Sequence, residues 1–151
     1  PDWLLTLVGE GEKRTEIEQL INDLGLDEQV ELVGAVTDVD EWYRNSAFLA
    51  FPSLWEGFPN ALVEAFRQGL PTVGLEQTAG VNELLRHNDT GLLTTADDRS
   101  FASAMQTLID DLAFRQRAGR NAQASVLPYE PEAIFQQWAI LFTKLANKQY
   151  R

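Results

Sequence analysis

Five short apolar runs, bounded by glycine or proline and separated by stretches with helical spacing, constrain this 151-residue chain more than any other feature. Strand-length runs that alternate with helices are the pattern of βα units, because parallel strands need a crossover long enough to hold a helix. The runs fall at residues 3–8, 30–33, 48–51, 72–75 and 91–94, and each predicts a strand. Between them, residues 15–24 place Ile17, Leu20, Ile21 and Leu24 on one helical face and stop at Gly25. Residues 38–45 and 60–68 predict shorter helices, the second closed by Gly69. Beyond the last run the chain turns helical. Phe101, Ala104, Met105, Leu108 and Leu112 form one stripe, and Ile134, Trp138, Leu141, Phe142 and Leu145 form another, expected to pack in the core or against another domain. The predicted fold class is α/β, a Rossmann-like parallel sheet with flanking helices. Pro128 and Pro131 punctuate the approach to the final helix, and the roughly 20 residues beyond them are too few for a second domain.

Composition narrows the function. Twelve Lys and Arg against 23 Asp and Glu give a formal charge of −11, which repels phosphate backbones and anionic membrane surfaces, so neither nucleic acid nor direct membrane contact is expected. No stretch is apolar for long enough to span a bilayer, and the segment reads as soluble, with the cytoplasm as its default location. There is no cysteine and a single histidine, His87, so neither a thiolate site nor an imidazole cluster is expected, and no metal or other cofactor is assigned. The first apolar run starts within two residues of Pro1, which suggests a segment cut from a longer chain.

The stretch from Phe51 to Pro71 joins one buried strand to a helix and then to the next strand. In open parallel sheets ligands bind at the carboxyl ends of the strands, so the loop after residue 51 opens onto the expected cleft. Its Gly57, Phe58 and Pro59 lengthen a connection that in ordinary βα units runs to only about 2–6 residues. Amides near Asn60, Ala61 and Leu62 belong to the first helical turn, where unpaired N–H groups and the positive end of the helix dipole favour a phosphate. Helical side chains lean toward the N-terminus, so the Glu64 carboxylate reaches back past that phosphate toward the place of a nucleotide's ribose hydroxyls. Glu56, ahead of the helix, lies on the far side, where a transferred sugar would be. Taken singly, an acid early in a helix is commonly only a dipole partner, and a loop Glu is commonly only solvated. The pairing of two acids around one long loop tells against that blander reading.

The sequence Ser53-x-x-Glu56-Gly-Phe-Pro-Asn-x-Leu-x-Glu64-Ala-x-x-x-Gly69-x-Pro71 resembles the signature of family 4 glycosyltransferases of the GT-B fold, whose two acids are separated by seven residues. Similarity extends over residues 3–112: Leu7-Val-Gly-Glu-Gly11, Val30-Glu-Leu-Val-Gly34, residues 43–47, Gly80-Val-Asn-Glu83 and Gly91-Leu-Leu each resemble a segment of the family's second domain. Two departures stand out. Phe66 and Arg67 replace small or thioether residues in the helix, and Thr78-Ala-Gly-Val-Asn82 replaces a commoner Gly-Gly run.

The resemblance implies a nucleotide-diphosphate sugar as donor and retaining transfer to a saccharide or lipid-linked acceptor, in the service of polysaccharide biosynthesis and without a metal. Glu56 would stabilise the transition state, and Glu64 would hold the ribose. Gly57, Phe58, Asn60, Ala61 and Leu62 would cradle sugar and phosphates, and Gly34, Ala35, Val36 and Asp38 would form the wall facing the nucleobase. It further implies that residues 1–151 are a donor-binding domain incomplete at its N-terminus, missing a first strand that carries a phosphate-clamping Gly-Arg, with a Lys following it. The acceptor domain would precede these residues. Such a segment alone is expected to be inactive, with self-association across the truncated sheet as one way to close the gap, and the full-length protein could sit at the inner face of the membrane. An epimerase or disaccharide phosphate synthase of the same fold, and a non-catalytic binding module, stay open as alternatives.

Three features carry less. Gly9-x-Gly11 lacks a third glycine, Arg14 standing in its place, so a tight turn is favoured over dinucleotide binding. His87 is expected in a surface turn. Trp55 either packs the loop down or offers an aromatic face to an acceptor.

Overall fold

The computed structural model describes residues 3–148 and divides the chain into two compact units, one running to Trp42 and one beginning at Tyr43. In the first unit β1 (Leu5–Val8) pairs in parallel with β2 (Val30–Gly34) across α1 (Arg14–Leu24), and the register shifts between Leu7 and Val8. Gly25, at φ 64, ends α1 in a left-handed turn whose N–H returns to the helix, as its position predicted. Here the strand starts two residues later than the apolar run, and β2 runs one residue further, through Gly34.

The second unit holds β3 (Leu49–Phe51), β4 (Thr72–Leu75) and β5 (Gly91–Thr94) in parallel order β3-β4-β5. Every residue of β4 is buried, as a central parallel strand covered on both faces requires. One face packs on Leu62 and Phe66 of α3 (Asn60–Arg67), on Val81 of α4 (Val81–Leu84) with Leu85 just beyond it, and on Ala122 of α6 (Leu112–Ser125). The other face gathers Val73 and Leu92 against Ala104 and Leu108 of α5 (Asp98–Asp110) and Phe114 and Ala118 of α6. A β-carbon at Gly119 would lie 2.2 Å from the Gly69 carbonyl oxygen, so α6 approaches the end of α3 as closely as backbone allows. Among the described residues β1 pairs with β2 only and β3 with β4 only. The architecture is the expected α/β fold, with α2 (Val39–Arg44) between the two ladders in sequence.

One helical expectation needs correction, and for another the core alternative falls. Leu112 does not continue the Phe101 stripe: the backbone turns at Asp111, which ends α5 and caps α6 by accepting the Phe114 N–H at 2.8 Å, and Leu112 is left exposed at the new helix start. Spacing of four residues cannot register such a break, because Leu108 and Leu112 keep helical periodicity across it. The Trp138 stripe does form α7 (Pro131–Lys148), but not as core. Trp138 is 52% exposed, with Leu141, Phe142 and Leu145 exposed beside it, and the Trp138 and Phe142 rings stack at 5.6 Å.

Candidate functional site

Parallel pairing of β3 with β4 sends both strands toward the same edge, so the loops that leave them lie side by side. The first, residues 52–59, begins with Pro52 and carries Glu56; buried Pro59 is its last residue before α3 and takes the capping position without a side-chain cap. Asn60 is therefore the first residue inside the helix, and its N–H turns back to the Phe58 carbonyl at 2.9 Å. The Leu62 N–H donates to the Pro59 carbonyl at 3.0 Å. Of the first-turn amides expected to face a phosphate, two are thus engaged within the chain. Those of Gly57, Phe58 and Ala61 donate to no backbone acceptor among the described residues. Three unengaged N–H groups at the head of a helix suit an anion.

The two acids differ in their surroundings. Glu64, on α3, is half-buried and accepts a hydrogen bond at 3.3 Å from the hydroxyl of Tyr43, near the end of α2. Glu56 is also half-buried, yet its carboxylate has no hydrogen bond or ion pair among the described residues. A carboxylate kept partly from water and left unengaged retains its full capacity to accept from a ligand. Beside it Trp55 is 90% exposed and Leu54 is exposed too, so the indole does not pack the loop down.

The loop is held from two directions. Thr78 and Gly80, from the loop after β4, touch it at Ser53 and at Gly57 and Pro59: the Thr78 hydroxyl donates to the Ser53 carbonyl at 2.7 Å. Phe58 meets the Tyr129 ring at 5.6 Å, tilted by 49°, from the 3-10 turn Leu127–Tyr129. The same turn is tied to α3 by the Arg67–Glu130 ion pair at 3.4 Å. Sequence reasoning missed Tyr43, Thr78 and Tyr129 as parts of this site; only Tyr43 and Thr78 fell within segments it singled out, and neither had a local signal for its partner.

In the first unit the residues expected to wall the nucleobase follow the end of β2. Gly34 is buried at φ 85, with the Glu10 carboxylate 2.8 Å from where its β-carbon would be, and its carbonyl accepts the Gly9 N–H at 2.8 Å. Ala35 is exposed, Val36 half-buried, and Asp38 accepts the Asp40 N–H at 3.1 Å, which starts α2. Arg14 binds Glu10 and Glu18 and reaches the Leu32 carbonyl at 3.3 Å, so a bulky ion-paired side chain occupies the place a third dinucleotide-binding glycine would need. His87 is exposed as expected, but it stands just before the turn at residues 88–90, in an isolated parallel bridge with Gly91, and its Nδ1 accepts the Leu93 N–H at 3.1 Å. Among the described residues no helix is long and apolar enough to cross a membrane, and no group of three or more His, Asp or Glu is placed to hold a metal ion.

Residues 1–111 match the family model described as glycosyl transferases group 1. An exopolysaccharide phosphotransferase of Streptomyces coelicolor is 34% identical over 151 residues, which is 99% of this chain and 16% of that protein. The amylovoran biosynthesis glycosyltransferase AmsD of Erwinia amylovora is 29% identical over 136 residues, 90% of this chain and 38% of that one. Among solved structures, HepE of Anabaena in complex with UDP superposes with a TM-score of 0.87 at 28% identity, covering 95% of this chain and 42% of its own. The chain thus spans less than half the length of each.

Proposed function

The chain belongs to the group 1 glycosyl transferases, and from that premise we propose that it binds the nucleotide-diphosphate sugar in a retaining transferase of the family 4 type. The observation that carries the reading is the loop after β3: a half-buried Glu56, followed by the amides of Gly57, Phe58 and Ala61 at the head of α3, all without a hydrogen-bond partner among the described residues. The UDP bound by HepE favours a uridine nucleotide, and the polymer named for AmsD favours a saccharide or lipid-linked saccharide acceptor.

Breaking the anomeric C–O bond puts positive charge on the sugar ring and negative charge on the departing diphosphate. The free amides and the positive end of the α3 dipole oppose the second, and the Glu56 carboxylate opposes the first without forming a bond to it. Glu64, oriented by Tyr43, accepts from the ribose diol. Gly34, Ala35, Val36 and Asp38 form the nucleobase wall, largely with main-chain groups. The acceptor domain and the phosphate-clamping Arg and Lys stand on chain that precedes these residues, in a cytoplasmic protein. Calorimetry of the full-length protein with UDP, and turnover with a panel of nucleotide sugars, test the reading; absence of both binding and transfer overturns it.

A second reading has one observation in its favour. The Streptomyces relative carries this segment as 16% of its length under a phosphotransferase name. On that reading the segment is an accessory module, which binds nucleotide without transferring sugar.

A further inference from the structure

Thr78 is 98% removed from solvent, yet it is a polar residue on a connection between strand and helix, where burial has to be matched by a hydrogen bond. Its own backbone is held locally. The Thr78 N–H donates to the Leu75 carbonyl at 3.3 Å and its carbonyl accepts the Asn82 N–H at 3.1 Å, while the Asn82 side chain donates to the Glu76 carbonyl at 2.8 Å. The turn after β4 is thus a self-bonded unit that needs nothing from its neighbour. From this unit the Thr78 hydroxyl crosses to the Ser53 carbonyl at 2.7 Å, three residues before Glu56. Two residues on, Gly80 sits at φ +78, and a β-carbon there would come within 2.9 Å of the Gly57 carbonyl oxygen and 3.0 Å of Pro59. One contact falls just before Glu56 and the other just after it.

We propose that Thr78 and Gly80 are positioning residues for Glu56, a buttress that fixes the height and direction of the acid-bearing loop over the donor site. The inference rests on the donor-site reading of Glu56. Neither residue touches substrate. Their effect is on where the carboxylate stands when charge develops on the sugar, and misplacing a reacting group by about 1 Å can cost on the order of 100-fold in rate. The free amides of Gly57 and Phe58 lie in the same held segment, but Ala61 belongs to α3, whose core contacts through Leu62 and Phe66 are independent of Thr78. Loss of the buttress therefore degrades chemistry more than nucleotide affinity.

The test uses Thr78→Val, which keeps the volume and removes the donor, Thr78→Ser, which keeps the donor, and Gly80→Ala, all in the full-length protein. Thr78→Val is expected to lower kcat by roughly 10- to 100-fold with the Kd for UDP within about twofold of wild type. Thr78→Ser is expected to restore most of kcat, and Gly80→Ala to lower it at least as far as the valine variant. A valine variant with unchanged kcat overturns the positioning role and leaves the donor site standing. Equal losses of kcat and UDP affinity, or a serine variant no better than valine, assign Thr78 to fold stability alone and also overturn it. Wild-type protein that neither binds UDP nor transfers sugar removes the donor-site reading, and the inference with it.

Discussion

The hydroxyl of Tyr43 donates to the Glu64 carboxylate at 3.3 Å, joining the end of α2 to the middle of α3 across 21 residues of sequence. One carboxylate oxygen is thereby directed while lone pairs remain to accept from a diol. Hydrogen bonds to charged groups contribute about 1.5–3 kcal/mol, so Glu64→Ala in the full-length protein should weaken UDP binding by roughly 10- to 150-fold. Tyr43→Phe leaves the acid in place and should weaken it by less. Titration calorimetry checks both, and a larger loss from Tyr43→Phe than from Glu64→Ala would reverse the assigned roles.

Glu56 makes a different prediction because its carboxylate has no hydrogen bond or ion pair among the described residues. A group that acts on charge present only in the transition state contributes to kcat and little to ground-state binding. Glu56→Gln should lower kcat by about 100-fold or more, as loss of one preorganised electrostatic group commonly does, with UDP affinity nearly unchanged. Parallel losses in both quantities would make it a structural loop residue.

Phe66 departs from the family pattern, and its environment explains the substitution. It is fully buried with Leu62, Val81, Leu85 and Ala122, filling the space between α3 and α6. Phe66→Ala should cost about 3–5 kcal/mol of stability, because the cavity is walled by close-packed elements that cannot easily collapse. Chemical denaturation measures this, and a cost below about 1 kcal/mol would show that the site relaxes freely.

What could be read from residues alone followed the range of the interactions involved. The bounds of β4 and β5 emerge as predicted, because short apolar runs flanked by Gly or Pro are local signals. Helix α4 escaped notice: four residues carry no period, and Val81 is buried through tertiary contacts. The break at Asp111 lies in a backbone turn that apolar spacing ignores, and the Trp138 stripe has helical period whether or not anything covers it. At the site, both acids stood out through their spacing. Their supports did not, since Tyr43 and Thr78 act across 21 and 25 residues and nothing local distinguishes them from other surface or turn residues.

Asp97 provides a prediction in pH. It caps α5 by accepting the Ser100 N–H at 2.9 Å and also accepts the Thr95 hydroxyl at 2.6 Å. The Thr95 bond first, and then the Ser100 bond, favour the ionised form and lower its pKa from 3.8 to about 2. A carboxyl with a depressed folded-state pKa adds stability that is complete above the unfolded value and is lost as pH falls through the folded one. The contribution of Asp97 is therefore present above about pH 4 and disappears toward pH 2. Asp97→Ala should lower Tm at neutral pH, and the gap from wild type should narrow across that window as both proteins are acidified. Asp97→Asn keeps an acceptor for the Ser100 N–H but cannot ionise, so its Tm deficit should be smaller and should vanish or reverse over the same range. Thermal melts of the three proteins between pH 2 and pH 7 separate these effects from the titration of the remaining carboxylates, which is common to all. A constant gap between wild type and Asp97→Ala would show that the charge at this cap contributes nothing.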